Sequence, residues 1–278
     1  MKTTSRVLTS AARFSSGILL GLYLVVTLFP VLWLLMTSVK VEALSFMIPP
    51  VWIFEPTGAN FVSAFTMRPF LRNLINSIIV TTAVTTISIL LGSFAAYSVS
   101  RFGTGGKSLT NMLFAMRVIP SMAIIIPLFV IFSRLKLVNS RTGLVIAYLT
   151  FNLPLAVLIL KNFFDAVPAE LEEAALIDGS SYFGAIFKII FPLSMPAIVS
   201  TAIFIIIYSW NEFLYAMILT RMQTETLPIA LTGFMTDRGL LWGQMTAASV
   251  VIILPVLIFS ILVQRNLVGG LTFGAIKG

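Results

Sequence analysis

The chain contains neither cysteine nor histidine. The first absence excludes disulfides and thiol chemistry. The second removes the commonest metal ligand and the usual general base near neutral pH. Charge is scarce as well. Only 10% of the 278 residues are Asp, Glu, Lys or Arg, against about 25% in a soluble domain. Basic residues outnumber acidic ones by 18 to 10, for a net charge of +8. They are scattered singly and build no basic patch, so contact with anionic lipid headgroups fits them better than nucleic acid. No metal site and no nucleic-acid partner are expected.

What fills the chain instead is apolar. Hydrophobic residues make up 58% of it and the mean hydropathy is +1.03. Six segments have the roughly 17–25 apolar residues that a helix needs to cross about 30 Å of hydrocarbon. Their cores are placed at Ile18–Met36, Ile78–Val99, Met112–Phe132, Leu144–Leu160, Ile198–Leu219 and Ala247–Val263. Open sheet edges cannot be satisfied in lipid, so the fold class is an all-α polytopic membrane protein with six transmembrane helices. The first segment is too long for a signal peptide, contains Trp33, and has no small-residue cleavage site after it. It is read as a retained helix.

An even span number puts both termini on one side. With the N-terminus inside, the inner segments hold nine Lys or Arg and the outer segments eight, which decides nothing. The basic, acid-free N-terminus, residues 1–17, leans inward. Residues 37–73 then form a sizeable outer segment, in which Trp52 suits an aromatic belt. Residues 220–244 form a second outer loop. The inner turn at 100–111 contains TGGKS, but the four-residue gap between glycines that a phosphate loop requires is absent.

Polar residues inside the spans stand out. A charge at the bilayer centre costs about 2.5–3.5 kcal/mol on insertion scales. Glu212 in the fifth span sits among Tyr208, Ser209, Trp210 and Asn211, and Asn152 precedes Pro154 in the fourth. An aromatic beside amides and a carboxylate suits a sugar, whose flat faces stack and whose hydroxyls take hydrogen bonds. Helix–helix adhesion is the alternative role. Asn152, Tyr208, Trp210, Asn211 and Glu212 are therefore candidates for a substrate pathway or gate. Arg117 either faces a partner helix or snorkels. Pro30, Pro120, Pro127, Pro154 and Pro255 each interrupt one span's hydrogen-bond ladder, and kinks are expected there.

The most informative stretch is the polar one at 168–196. Five of the ten acidic residues fall between Asp165 and Asp178. Pro168 suits a first helical position, and Glu170, Glu172 and Glu173 favour the positive end of a helix dipole. Asp178-Gly179 is expected to stop that helix. Ser180 or Ser181 can cap a second helix, whose Phe183, Ile186, Phe187 and Ile190 form an apolar stripe. Pro192 and Pro196 are expected to end it. The residues alone leave two uses open: a helix pair lying on the membrane surface, or a docking element.

The spacing resembles the EAA loop of ABC transporter permeases. Glu173-Ala174-Ala175 is followed by Gly179, and then by Ile189 and Pro192. The family has Leu before that proline; this chain has Phe191, an apolar departure. Further matches are Asn76-Ser77, Ser209-Trp210-Asn211-Glu212-Phe213, Gln264-Arg265 and the run from Gly270 to Gly278. Together they resemble the permeases of carbohydrate importers, most closely from about Asn73 onward. The resemblance implies a type I ABC importer permease architecture, with a transmembrane domain over 18–278 and a cytosolic docking loop at 161–196.

It further implies no catalytic residue here and no cofactor bound by this chain, since ATP and Mg belong to two partner ATPase subunits. A second permease subunit, forming a heterodimer with this one, and an extracytoplasmic sugar-binding protein are the other expected partners, with a carbohydrate as cargo. The location implied is the bacterial inner membrane, with both termini cytosolic. Glu170, Glu173, Ala174, Ala175, Asp178 and Gly179 would couple to the ATPase, residues 222–243 would face the binding protein, and the C-terminal tail would lie toward the ATPases. A permease for another solute, a stand-alone carrier and a membrane-embedded enzyme are the alternatives. The last finds poor material in a chain without His or Cys.

Overall fold

The computed structural model describes residues 2–67, 69–237 and 239–272, with side chains described between residues 16 and 261 except Met67. In chain order the elements are α1 (Lys2–Ser38), α2 (Glu42–Ser45), α3 (Ala59–Met67), α4 (Phe70–Phe102), α5 (Gly106–Val118), α6 (Ser121–Arg134), α7 (Arg141–Ala166), α8 (Ala169–Ile177) and α9 (Tyr182–Ala185). A π turn (Ile186–Ile190) leads into α10 (Phe191–Trp210), α11 (Leu214–Leu219) and α12 (Leu227–Thr232). A two-residue hairpin follows, β1 (Met235–Thr236) with β2 (Gly239–Leu240), and then α13 (Trp242–Thr272). Residues 273–278 of the C-terminal run, and the side chains of Gln264-Arg265 and of the basic N-terminus, lie outside the described residues.

Five helices are long and apolar enough to cross a membrane: Ser16–Ser38, Phe70–Phe102, Arg141–Ala166, Tyr182–Trp210 and Trp242–Ile261. The expected third span is a broken one. Its halves α5 and α6 meet at a 95° bend. The cause is local: Pro120 disfavours the α conformation of the residue before it, and Ile119 is extended at ψ 125°. Counted together, the halves bring the total to six. Pro30, Pro127, Pro154 and Pro255 all sit inside helices that continue past them.

The chain divides into two compact units, Met1–Arg68 with Gly233–Ile253, and Pro69–Thr232 with Leu254–Gly278. In the larger unit α4, α7 and α10 pack together. Val80, Val84, Leu144, Ala147, Tyr148, Ala156 and Ile205 form one buried cluster with Tyr215, Ala216 and Leu219. Small residues allow the close approach of α4 to α7. A Cβ at Gly92 would stand 2.8 Å from that of Ala156, which is how helices gain contact in lipid. A second cluster lies around Ala96, Tyr97, Leu160 and Phe164, against which Ile186 and Ile190 pack.

In the smaller unit α1 is exposed from Ser16 to Leu32, while Thr37 and Ser38 at its end are buried. The connection after it is tied by Asn60, whose amide donates to the carbonyls of Ser38 and Lys40 at 2.9 and 2.6 Å.

Candidate functional site

The acidic loop folds as two helices around a glycine turn. α8 starts after Pro168, one residue later than the proline suggested. It ends in a Schellman arrangement: Gly179 N–H donates to the Leu176 carbonyl at 3.0 Å and Ser180 N–H to that of Ala175 at 2.9 Å. Gly179 takes φ +85°, a region that side chains rarely tolerate. Of the two serine candidates, Ser181 caps α9, its Oγ accepting the Gly184 N–H at 3.2 Å.

Contrary to the expectation from sequence, Pro192 and Pro196 do not end the second helix. The chain runs helically from Tyr182 to Trp210. The π turn over Ile186–Ile190 resets the ladder just before Pro192: Phe191 N–H donates to the Ile186 carbonyl, five residues back. The missing proline N–H therefore falls where the register is already widened. The apolar stripe splits in consequence. Ile186 and Ile190 are buried, while Phe183 and Phe187 lie exposed beside the Phe94 ring at 6.3 Å.

α8 is held to the end of α4 by one glutamate. Glu172 is 5% exposed. It accepts Arg101 Nε at 2.9 Å and the Tyr97 hydroxyl. Arg101 Nη2 also reaches the Val167 carbonyl at 2.9 Å, and Ser100 Oγ donates to Asp165 at 2.6 Å. Glu170, Glu173, Ala174, Asp178 and Gly179 face outward, with Ala175 half-buried. Beside the helix is a cleft of roughly 270 Å³ lined by Phe163, Val167, Leu171, Leu193 and Ala197. The anchor escaped the sequence reading because Arg101 and Glu172 are 71 residues apart.

The candidate pathway residues do not form one cluster. The expected fifth span ends at Trp210, and Asn211–Phe213 interrupt it before α11. Glu212 is half-buried at that break, where its Oε1 accepts the Tyr215 N–H at 3.0 Å and so caps α11. Asn211 folds back onto the Ile207 carbonyl at 2.8 Å. Asn152 is fully buried, its amide donating to Ser209 Oγ and to the Tyr148 carbonyl, both at 3.0 Å. Of these three, only Asn152 is buried in the helix packing, and Asn211 is exposed. Tyr208 is exposed and carries Arg117 over its ring at 5.2 Å, while Arg117 also donates to the Phe151 carbonyl. Arg117 thus has a partner helix on both counts.

Trp210 lines a cavity. That cavity, about 390 Å³, has Thr81, Thr82, Thr85 and Thr86 of α4 on one wall, and Ile206, Trp210, Pro255 and Phe259 opposite. Thr81 and Thr85 Oγ1 are buried and have no hydrogen-bond partner among the described residues. Elsewhere Thr201 satisfies its hydroxyl on the carbonyl four residues back, at 2.8 Å. The paired threonines at i, i+1, i+4 and i+5 share one helix face, a signal present in the sequence and missed.

At the other end of α4, Asn76 donates to the carbonyls of Gln223 and Glu225 at 3.0 and 2.9 Å and accepts Arg141 Nε at 2.8 Å. Ser77 Oγ accepts the Leu227 N–H at 2.8 Å. The Asn76-Ser77 pair therefore pins the 223–227 loop.

Residues 88–271 match the family model of the binding-protein-dependent transport system inner membrane component. The chain belongs to this family. It is an ABC importer permease, a transport subunit of the inner membrane. The permease is 34% identical over 259 residues to the trehalose/maltose permease MalG of Thermococcus litoralis, covering 91% of this chain and 93% of that one. It is 36% identical over 261 residues to the sulfoquinovosyl glycerol permease SmoH of Agrobacterium fabrum, covering 93% and 92%. Among solved structures, a chain of a bacterial ABC transporter importing alginate superposes with a TM-score of 0.78 at 22% identity, over 92% of the permease and 96% of that chain. That likeness shows the fold.

Proposed function

We propose that this permease is one of two that together carry a carbohydrate (a sugar, polyol or glycoside) across the inner membrane. Two ATPase subunits hold the ATP and Mg, and an extracytoplasmic binding protein delivers the cargo. The carbohydrate class is supported by relatives described as permeases for trehalose/maltose, trehalose and sulfoquinovosyl glycerol. Both termini are cytosolic in this reading, which puts α8 on the ATPase side.

The observation that carries the reading is the division of labour on α8. Glu172 fixes the helix to α4, and Glu170, Glu173, Ala174 and Asp178 are left for another chain. Movement imposed on α8 passes through Glu172 to Arg101 and so along α4. Thr85 lies sixteen residues from Arg101 on that helix, about 24 Å at 1.5 Å per residue. The lever thus ends at the cavity lined by Trp210 and by Thr81 and Thr85, whose hydroxyls have no partner among the described residues and are the groups offered to a sugar. ATP-driven closure of the partner subunits would open that cavity outward, and hydrolysis would reset it.

The test is Glu173→Ala and Gly179→Val in the reconstituted complex. Uptake should fall about tenfold, the equivalent of one charged hydrogen bond of about 1.5 kcal/mol, while ATP hydrolysis persists. Unchanged uptake in both variants contradicts the assignment.

A further inference from the structure

At the Ser38 end of α1 a lysine is buried without an acidic partner among the described residues. Lys40 is 2% exposed. Its ammonium lies 5.2 Å from the centroid of the Trp33 ring and 5.0 Å from that of Phe54. The acid nearest in sequence, Glu42, is already committed: its two oxygens accept the backbone N–H groups of Trp242 and Gly243, each at 2.8 Å, at the start of α13. The ion pairs among the described residues, Arg101–Glu172 and Lys161–Asp165, leave Lys40 out. An unpaired buried ammonium is costly. Two aromatic faces hold such a cation in place without neutralising it.

Lys40 also borders a cavity of about 320 Å³, with Trp33, Thr37, Ser45 and Trp242. Ser45 Oγ is buried and has no hydrogen-bond partner among the described residues. A slot of about 610 Å³ shares Trp33, Thr37, Pro50 and Trp242 with that cavity and continues to Leu34, Pro30 and Phe29. Along α1 the lining runs from Phe29, Pro30 and Leu34 past Trp33 to Thr37 and Lys40, and the smaller cavity adds Ser45 among Leu44, Phe46, Met47 and Ile48. Three of the four tryptophans of the chain take part, and tryptophan favours the membrane–water interface.

We propose that the two cavities together hold one anionic phospholipid, with its phosphodiester on Lys40 and Ser45 and an acyl chain along Phe29, Pro30 and Leu34. The apolar slot suits an acyl chain, and the ammonium with the Ser45 hydroxyl suits a phosphodiester. A choline headgroup would bring a second cation beside Lys40, whereas a glycerol headgroup brings none. A free phosphate would occupy the smaller cavity and leave the apolar slot uncovered.

The test is photo-crosslinking of the intact transporter in nanodiscs, using phosphatidylglycerol or phosphatidylcholine with a diazirine in the acyl chain, followed by peptide mapping. Labelling of residues 29–34 should favour phosphatidylglycerol about fivefold, the ratio equivalent to about 1 kcal/mol for one lysine at an anionic surface. Lys40→Met should abolish the preference and Lys40→Arg should keep it. Excess inorganic phosphate should leave it in place. Equal labelling by the two lipids in the wild type overturns the proposal, and so does the absence of labelling by either, as when a partner subunit fills the slot. A preference that survives Lys40→Met, or that inorganic phosphate removes, overturns it as well.

Discussion

Glu172 and Glu173 are adjacent in sequence and face opposite ways. The first is buried on Arg101 and the Tyr97 hydroxyl, and the second is exposed. Removing one partner of a buried ion pair strands the other and costs about 3–5 kcal/mol. Glu172→Ala should therefore lower the thermal stability of the purified complex markedly, whereas Glu173→Ala should leave it within about 0.5 kcal/mol of wild type. Equal melting temperatures for the two variants would contradict the assignment. Thr85→Val makes the opposite kind of test. It removes a buried hydroxyl without a partner among the described residues, so stability should hold or rise. If the hydroxyl serves a sugar, the half-saturating concentration for uptake should rise about fivefold, the equivalent of about 1 kcal/mol. At this scale the sequence was readable only where the signal was local. The Gly179 turn was visible in Asp178-Gly179, but no spacing rule links Arg101 to Glu172. Charge at Glu212 suggested a pathway, and its carboxylate also caps α11, a contact that the charge alone does not foretell.

Among the elements, prolines separate what periodicity foresees from what it does not. Five prolines inside the expected spans looked alike in sequence, and one of them, Pro120, stands at a 95° break. The others lie within helices whose packing or register accommodates the lost N–H. Pro192 follows a π turn, a local register shift that apolar periodicity does not reveal. Replacing Pro120 by alanine lifts the restriction on Ile119, so α5 and α6 should straighten. Spin labels at Met112 and Ile126, both exposed, should then move apart in pulsed distance measurements. An unchanged distance distribution would mean that packing, not proline, sets the bend.

For the molecule as a whole, composition was enough to foresee an all-helical membrane protein, because lipid allows few alternatives, and the six expected spans correspond to five long helices and one bent pair. Sidedness was not foreseeable, since Lys and Arg divide nearly evenly between the two faces. The lack of native cysteine turns that gap into an experiment, as any introduced thiol is labelled without background. In sealed right-side-out vesicles, a membrane-impermeant reagent should label Gln223→Cys, and Glu173→Cys only after permeabilisation. The reverse pattern would invert the topology and remove the ATPase from α8. The central claim is that chemistry on partner subunits is coupled through this chain to carbohydrate movement. Its most direct test is ATP hydrolysis by the complete transporter in proteoliposomes, with a panel of sugars and polyols, in the presence and absence of the binding protein. The account predicts that one sugar-loaded binding protein stimulates hydrolysis and that Glu173→Ala blunts the associated uptake. Solute movement by this chain alone, with no ATPase required, would contradict it.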